Sequence, residues 1–131
     1  ISSTLLISVL LNILFQKVKD KSFSVGESSS VEISDAKMSD VGVGIAVKDG
    51  SSANIRDCSI TDYDLFAGMT YSKKKHYDIY SSLIFEDCMI GGGKSAFVRQ
   101  KGTFLRVDSE LVQPSDVDVE TLYSSGVMRK R

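Results

Sequence analysis

Acidic and basic residues nearly balance in this chain, and proline, histidine and cysteine are scarce. Of its 131 residues, 16 are basic and 17 acidic, and it has one proline, one histidine and two cysteines. The balanced charge argues against a general nucleic-acid surface or an anionic-membrane surface. Zinc is not expected, because the sequence pattern places no third ligand such as His76 beside the two cysteines. The length corresponds to one domain.

The sequence also lacks a hydrophobic run long enough to span a membrane. The longest run, Leu5 to Phe15, falls short of the ~20 residues that a spanning helix needs. Neither a basic region before it nor a small-residue cleavage site after it marks a signal peptide. We expect this run to belong to the core, either as an amphipathic helix that covers an open end or as a further coil. The second alternative depends on an offset of 23 residues, which relates Leu10, Phe15 and Val18 to Ile33, Met38 and Val41.

A repeated segment is the most informative feature that is present. Residues 30–38, 53–60 and 83–90 share an alternating apolar pattern around an aspartate, and these aspartates, Asp35, Asp57 and Asp87, lie 22 and then 30 residues apart. A second apolar strand follows each copy, at 43–50, 65–70 and 95–102, and residues 21–28 match it one repeat earlier. Repeats of this length, built from short β-rich pieces, are typical of a solenoid.

The alternation predicts which side chains point inward. Successive side chains of a strand face opposite sides, and stacking the coils at about 4.8 Å closes a narrow core between them. We predict three inward ladders: Val31, Ile33 and Ile55 with Phe85; Met38, Ile60 and Ile90; and Phe23, Ile45, Ala67 and Phe97. The predicted fold class is therefore all-β, a right-handed parallel β-helix of about four coils.

The predicted organisation has three parts. Residues 1–20 form an N-terminal cap or first coil, residues 21–112 form the coils of the β-helix, and residues 113–131 form a C-terminal cap or tail. In the tail we expect Ser115 or Asp116 to cap a short helical turn that includes Val117, Val119 and Leu122.

Residues 18–28, together with Gly44 to Asp49 and Lys74-Lys75, resemble the right-handed parallel β-helix superfamily, whose fold is pectate-lyase-like. Within it, the chain resembles the non-catalytic repeat domains of some bacterial surface and spore-coat-related proteins. The resemblance covers roughly residues 8 to 123 and implies the fold. It supplies no catalytic motif, and the same fold serves lyases, hydrolases, phage tailspikes and adhesins, so function has to be argued from a site.

Two columns of chemically interesting residues follow from the stacking. Cys58 and Cys88 occupy the same place in adjacent coils, and we expect free, buried thiols there, with a disulfide as the alternative. Asp35, Asp57 and Asp87 also stack. Such a column could bind calcium, but the favoured interpretation is that these aspartates form tight corners. We therefore expect no metal and no cofactor.

The third coil carries an insertion of eight residues between Thr70 and Ile84. Insertions in a solenoid concentrate on one face, which is often the binding face. Its lysines and tyrosines suit an anionic or sugar-like partner. The predicted binding residues are the insertion and its outward neighbours, namely Lys48, Thr70, Tyr71, Lys73, Lys74, Lys75, His76, Tyr77, Tyr80 and Gln100.

These features predict a non-catalytic binding or structural module for a polysaccharide or another protein, with no nucleic acid, no membrane span and oligomers that form through the solenoid ends. The alternative is an enzyme acting on acidic polysaccharide. Hydrolysis would need two carboxylates ~5–10 Å apart across a groove, and the sequence shows no long loops that would build one. The cellular compartment is not predicted.

Overall fold

The computed structural model describes residues 7–77, 80–91 and 96–124, and it is a parallel β-solenoid of about four turns. Three long strands form its first part: β1 (Ile7–Val25), β2 (Ser30–Lys48) and β3 (Ser52–Tyr71). Shorter strands continue the stack: β4 (Ser82–Glu86), β5 (Met89–Ile90), β6 (Phe97–Gln100), β7 (Phe104–Val107), β8 (Glu110–Leu111) and β9 (Pro114–Ser115). The described part of the chain ends in helix α1 (Val119–Ser124).

Aspartates bend the long strands into coils. Among the described residues, seven of the ten non-glycine positions with positive φ are aspartates, including Asp35 (59°), Asp57 (53°) and Asp87 (54°) at one corner and Asp40 (53°) and Asp62 (53°) at the next. Left-handed backbone costs most residues energy, whereas aspartate tolerates it because its short carboxylate bonds locally. Strands β2 and β3 therefore each bend at two aspartates without leaving the sheet. This agrees with the interpretation that the stacked aspartates form tight corners.

The predicted inward stacking of Ile33, Ile55 and Phe85 is confirmed. These residues are direct parallel partners in β2, β3 and β4, and each is buried. Met38 and Ile60 pair in the same way, and Ile60 pairs with Ile90.

One predicted ladder is shifted by a residue. Phe23 pairs with Ile45 as expected, but Ile45 then pairs with Gly68 rather than with Ala67, and Gly68 pairs with Phe97. The cause is a register shift between Val41 and Val43, after which the offset between coils grows by one residue. A fixed repeat length could not anticipate it, because a β-bulge adds a residue to one strand only.

The apolar run near the N-terminus is a coil where the structure describes it. Residues Ile7–Val25 form β1, and Leu10, Phe15 and Val18 pair with Ile33, Met38 and Val41. The alternative prediction of an amphipathic capping helix is thus wrong for these residues. The 23-residue offset decided correctly between the alternatives, because it tests register, whereas apolar content alone fits a helix or a strand. No helix among the described residues is long and apolar enough to cross a membrane.

The final coil closes differently from the others. Strand β8 folds back on β7 in the antiparallel sense, and β9 pairs with β6. Arg99 lies at this end, where its guanidinium donates to the carbonyl oxygens of Val112 (2.6 Å) and Thr103 (2.7 Å). The guanidinium of this inward-pointing arginine is thus paired with backbone carbonyls, which removes the free-energy cost of burying an unpaired charge.

Helix α1 forms where a helical turn was predicted, but its cap is a different residue. The carboxylate of Asp118 accepts hydrogen bonds from the backbone N–H (3.1 Å) and hydroxyl (2.7 Å) of Thr121. These bonds lower the pKa of Asp118. Ser115 instead belongs to β9, so Asp118 is the N-cap and the assignment to Ser115 or Asp116 is wrong.

The expectation of free thiols is also wrong. Cys58 and Cys88 form a disulfide between adjacent coils, with their Cα atoms 4.4 Å apart. The parallel stack alone brings the two Cα atoms to the near end of the range that disulfides occupy. The bond therefore joins the third coil to the fourth and encloses the insertion.

Candidate ligand-binding groove

The insertion is anchored to the body of the solenoid by Asp49. This residue is fully buried at the corner that ends β2, with a positive φ of 55°. Its Oδ1 accepts hydrogen bonds from the backbone N–H groups of Lys73 (2.7 Å) and Lys74 (2.8 Å). Gln100 adds a third bond, because its side-chain oxygen accepts from the N–H of Ser72 at 2.6 Å. The first residues of the insertion, 72–74, are therefore held in place by buried or half-buried groups of two other coils.

Three lysines surround the ring of Tyr123, which helix α1 brings to the same corner. The ammonium groups of Lys21, Lys48 and Lys73 lie 5.3, 5.6 and 4.0 Å from the ring centroid. Lys48 also donates to the Tyr123 hydroxyl at 3.3 Å. Burial lowers the pKa of Lys48, and the neighbouring Lys73 and Lys21 lower it further. Three ammonium groups thus converge on one ring, and that of Lys21 is also paired with Asp20 at 3.0 Å.

Two of the predicted binding residues lie inside the protein. Tyr71 is 0 % exposed, and its hydroxyl lies 2.5 Å from that of Tyr123. Burial raises the pKa of Tyr71 well above its usual value. Thr70 is 0 % exposed as well, and it donates to the hydroxyl of Thr103 at 2.8 Å, since Thr103 donates its own proton to the Gln100 carbonyl.

The outward column predicted from Lys48, Thr70 and Gln100 is therefore wrong at Thr70. Lys48 pairs with Tyr71, and Thr70 pairs with Arg99, so Thr70 occupies the inward register. The one-residue register shift at Val43 is again the cause.

A groove of about 440 Å³ lies between the insertion and helix α1. The insertion supplies Ser72, Lys73 and Lys75 to it, and the fourth coil supplies Gln100. The opposite side consists of Val117, Asp118, Val119, Glu120 and Tyr123. Its volume falls within the range of small-ligand sites, and the ring of Tyr123 lies at its edge with the Lys73 ammonium 4.0 Å from the ring centroid.

Comparison with known proteins finds no matching family model, no matching curated protein and no matching solved structure. The function of the groove therefore has to be argued from its own residues.

The remaining predicted residues do not line the groove. Lys74 forms an ion pair with Glu27, which raises the pKa of Lys74. The rings of His76 and Tyr77 contact each other, with centroids 4.5 Å apart. Tyr80 is 53 % exposed. Of the described insertion residues, Ser72, Lys73 and Lys75 therefore form the wall of the groove.

The aspartate column does not provide a metal site in the described part of the chain. Asp35, Asp57 and Asp87 are exposed at their corner, and the described residues contain no group of three or more histidine, cysteine, aspartate or glutamate side chains that could hold a metal ion.

Sequence reasoning missed the contribution of helix α1. Val119, Leu122 and Tyr123 pack on an apolar outer face formed by Val43, Ala46, Met69 and Tyr71. That face could not be read from strand alternation, because its residues are buried although they point away from the main core. A signal was present in Asp118-Val119-Glu120-Thr121, where an aspartate precedes a short amphipathic segment.

Proposed function

We propose that this protein is a non-catalytic, right-handed β-helix module that binds an acidic polysaccharide in the groove between the insertion and helix α1. The observation that carries the proposal is the groove's position: the eight-residue insertion of the third coil supplies Ser72, Lys73 and Lys75 to one of its walls. Right-handedness is supported by the strong preference of parallel crossover connections for that hand.

The side chains of the groove support a saccharide partner. Lys73 and Lys75 can bind carboxylate or sulfate groups, and the side-chain amide of Gln100, whose oxygen accepts from Ser72, can donate its N–H groups to sugar hydroxyls. Ser72 and the anchored backbone around it are fixed by Asp49 and Gln100. A pre-ordered wall reduces the entropy that binding would otherwise cost.

The Cys58–Cys88 disulfide supports a role outside a reducing compartment. Disulfides persist in secreted and surface proteins and are rare in the reducing cytosol. A polysaccharide partner at a cell surface is consistent with such a location.

The proposal is tested on a glycan array followed by calorimetry. The array carries acidic, neutral and zwitterionic saccharides, and we expect the hits to contain acidic sugars. The change Lys75→Ala, at an exposed lysine of the groove, should weaken binding of the best hit at least fivefold. The matched control is Lys37→Ala, which removes an exposed lysine of β2 outside the groove.

The control should leave affinity unchanged, and all variants should melt near the parent temperature, since exposed substitutions usually cost under ~0.5 kcal/mol. Equal weakening by both changes would show that binding is non-specific and electrostatic. An array without any hit would refute the proposal.

A further inference from the structure

The groove has one basic wall and one acidic wall. Lys73 and Lys75 belong to the insertion, whereas Asp118 and Glu120 belong to the start of helix α1, and all four residues line the same space. A purely anionic ligand would meet repulsion from the acidic wall, and a purely cationic ligand would meet repulsion from the basic wall.

Neither Lys75 nor Glu120 forms an ion pair with any residue in the described ranges. Asp118 is occupied by its cap interaction with Thr121, which lowers its pKa and keeps it ionised. Lys75 and Glu120 thus line one space with opposite charges and without an ion pair among the described residues, an arrangement that complements a ligand carrying both signs.

We infer that the ligand of this groove is a zwitterionic saccharide, in which a carboxylate and a free ammonium group occur on neighbouring sugars. This inference rests on the proposed function and specifies its ligand class. The carboxylate binds at Lys75, and the ammonium group binds at Glu120. A groove of about 440 Å³ accommodates a short segment of such a chain.

A matched pair of tetrasaccharides tests the ligand class. Both consist of alternating glucuronic acid and glucosamine, and they differ only in that the amines are free in one and acetylated in the other. By calorimetry at low ionic strength, we expect the free-amine form to bind at least threefold more tightly to the intact protein.

The variant Glu120→Gln then identifies the acidic wall. We expect it to weaken the free-amine form about twofold to fivefold and to leave the acetylated form unchanged or bound more tightly, because a repulsive charge has been removed. Lys75→Ala should weaken both forms. Asp118 is left unaltered because it caps helix α1.

The outcomes separate the inference from the function on which it rests. If the acetylated form binds as tightly as the free-amine form, and Glu120→Gln affects both equally, the zwitterion assignment is wrong while saccharide binding stands. If neither form binds and the wider array is also empty, the proposed function fails as well.

Discussion

Removing the Cys58–Cys88 disulfide should lower the melting temperature by about 13 °C. The two cysteines are 30 residues apart, and the chain-entropy relation for a loop of that length gives about 3.6 kcal/mol at 25 °C. An unfolding entropy of about 2.1 cal/mol/K per residue, over 131 residues, converts this free energy to the stated shift.

The perturbation is the double variant Cys58→Ala with Cys88→Ala. Alanine suits this column, because Ala36 already occupies the position that pairs with Cys58 in the preceding coil. The loss of packing should therefore be small, and most of the shift should come from the cross-link itself.

Thermal unfolding monitored by circular dichroism measures the effect, with and without dithiothreitol. Each single alanine variant also loses the disulfide and should melt within a few degrees of the double variant. The reductant should destabilise the parent protein and leave the double variant unchanged. A double variant that melts within about 3 °C of the oxidised parent would refute the reasoning, because the cross-link would then contribute almost nothing.

Three further predictions follow from the packing. Ile55→Ala should cost about 2–5 kcal/mol in denaturant unfolding, because Ile55 is 1 % exposed in the central ladder, whereas Leu14→Ala, at a 62 % exposed site, should cost under ~0.5 kcal/mol. Gly44→Ala should destabilise by about 1–3 kcal/mol, since its Cβ would collide with the backbone of the neighbouring coil, whereas Gly91→Ala meets open space and should be neutral. Tyr71 has a raised pKa in the folded protein, so the unfolded state releases the Tyr71 proton at a lower pH than the folded state does. The free energy of unfolding should therefore fall as pH rises above about 10, and Tyr71→Phe should flatten that fall in pH-dependent unfolding.

The stacking of the coils could be predicted because residues that pair between coils recur in the sequence at a regular spacing. An inward residue such as Ile33 recurs at Ile55 and Phe85, and a corner aspartate recurs with it. Two independent strands of each repeat keep nearly the same offset, which local propensity alone would not produce. The same logic placed Phe15 opposite Met38.

The errors arose where one residue changes the register or where distant segments meet. A single β-bulge turned Thr70 inward, since a shift by one residue exchanges the two faces of a strand. Tyr71 became buried because Tyr123, 52 residues later, covers it. The disulfide depended on a Cα separation that repeat spacing fixes only approximately.

The position of the groove could be predicted only in part. The insertion indicated one wall, because solenoid insertions emerge on a single face. The second wall comes from helix α1, whose docking depends on the apolar outer face around Met69. The oligomeric state through the solenoid ends stays a prediction, as does the hand of the helix.

The central claim is that the groove between the insertion and helix α1 is the binding surface. Amide chemical-shift mapping by NMR during titration with the free-amine tetrasaccharide tests it most directly. The account predicts that the largest shifts fall on Ser72, Lys75, Gln100 and Glu120, which line the groove. Shifts concentrated instead at the corner of Asp35 and Asp57, with the groove unaffected, would contradict it.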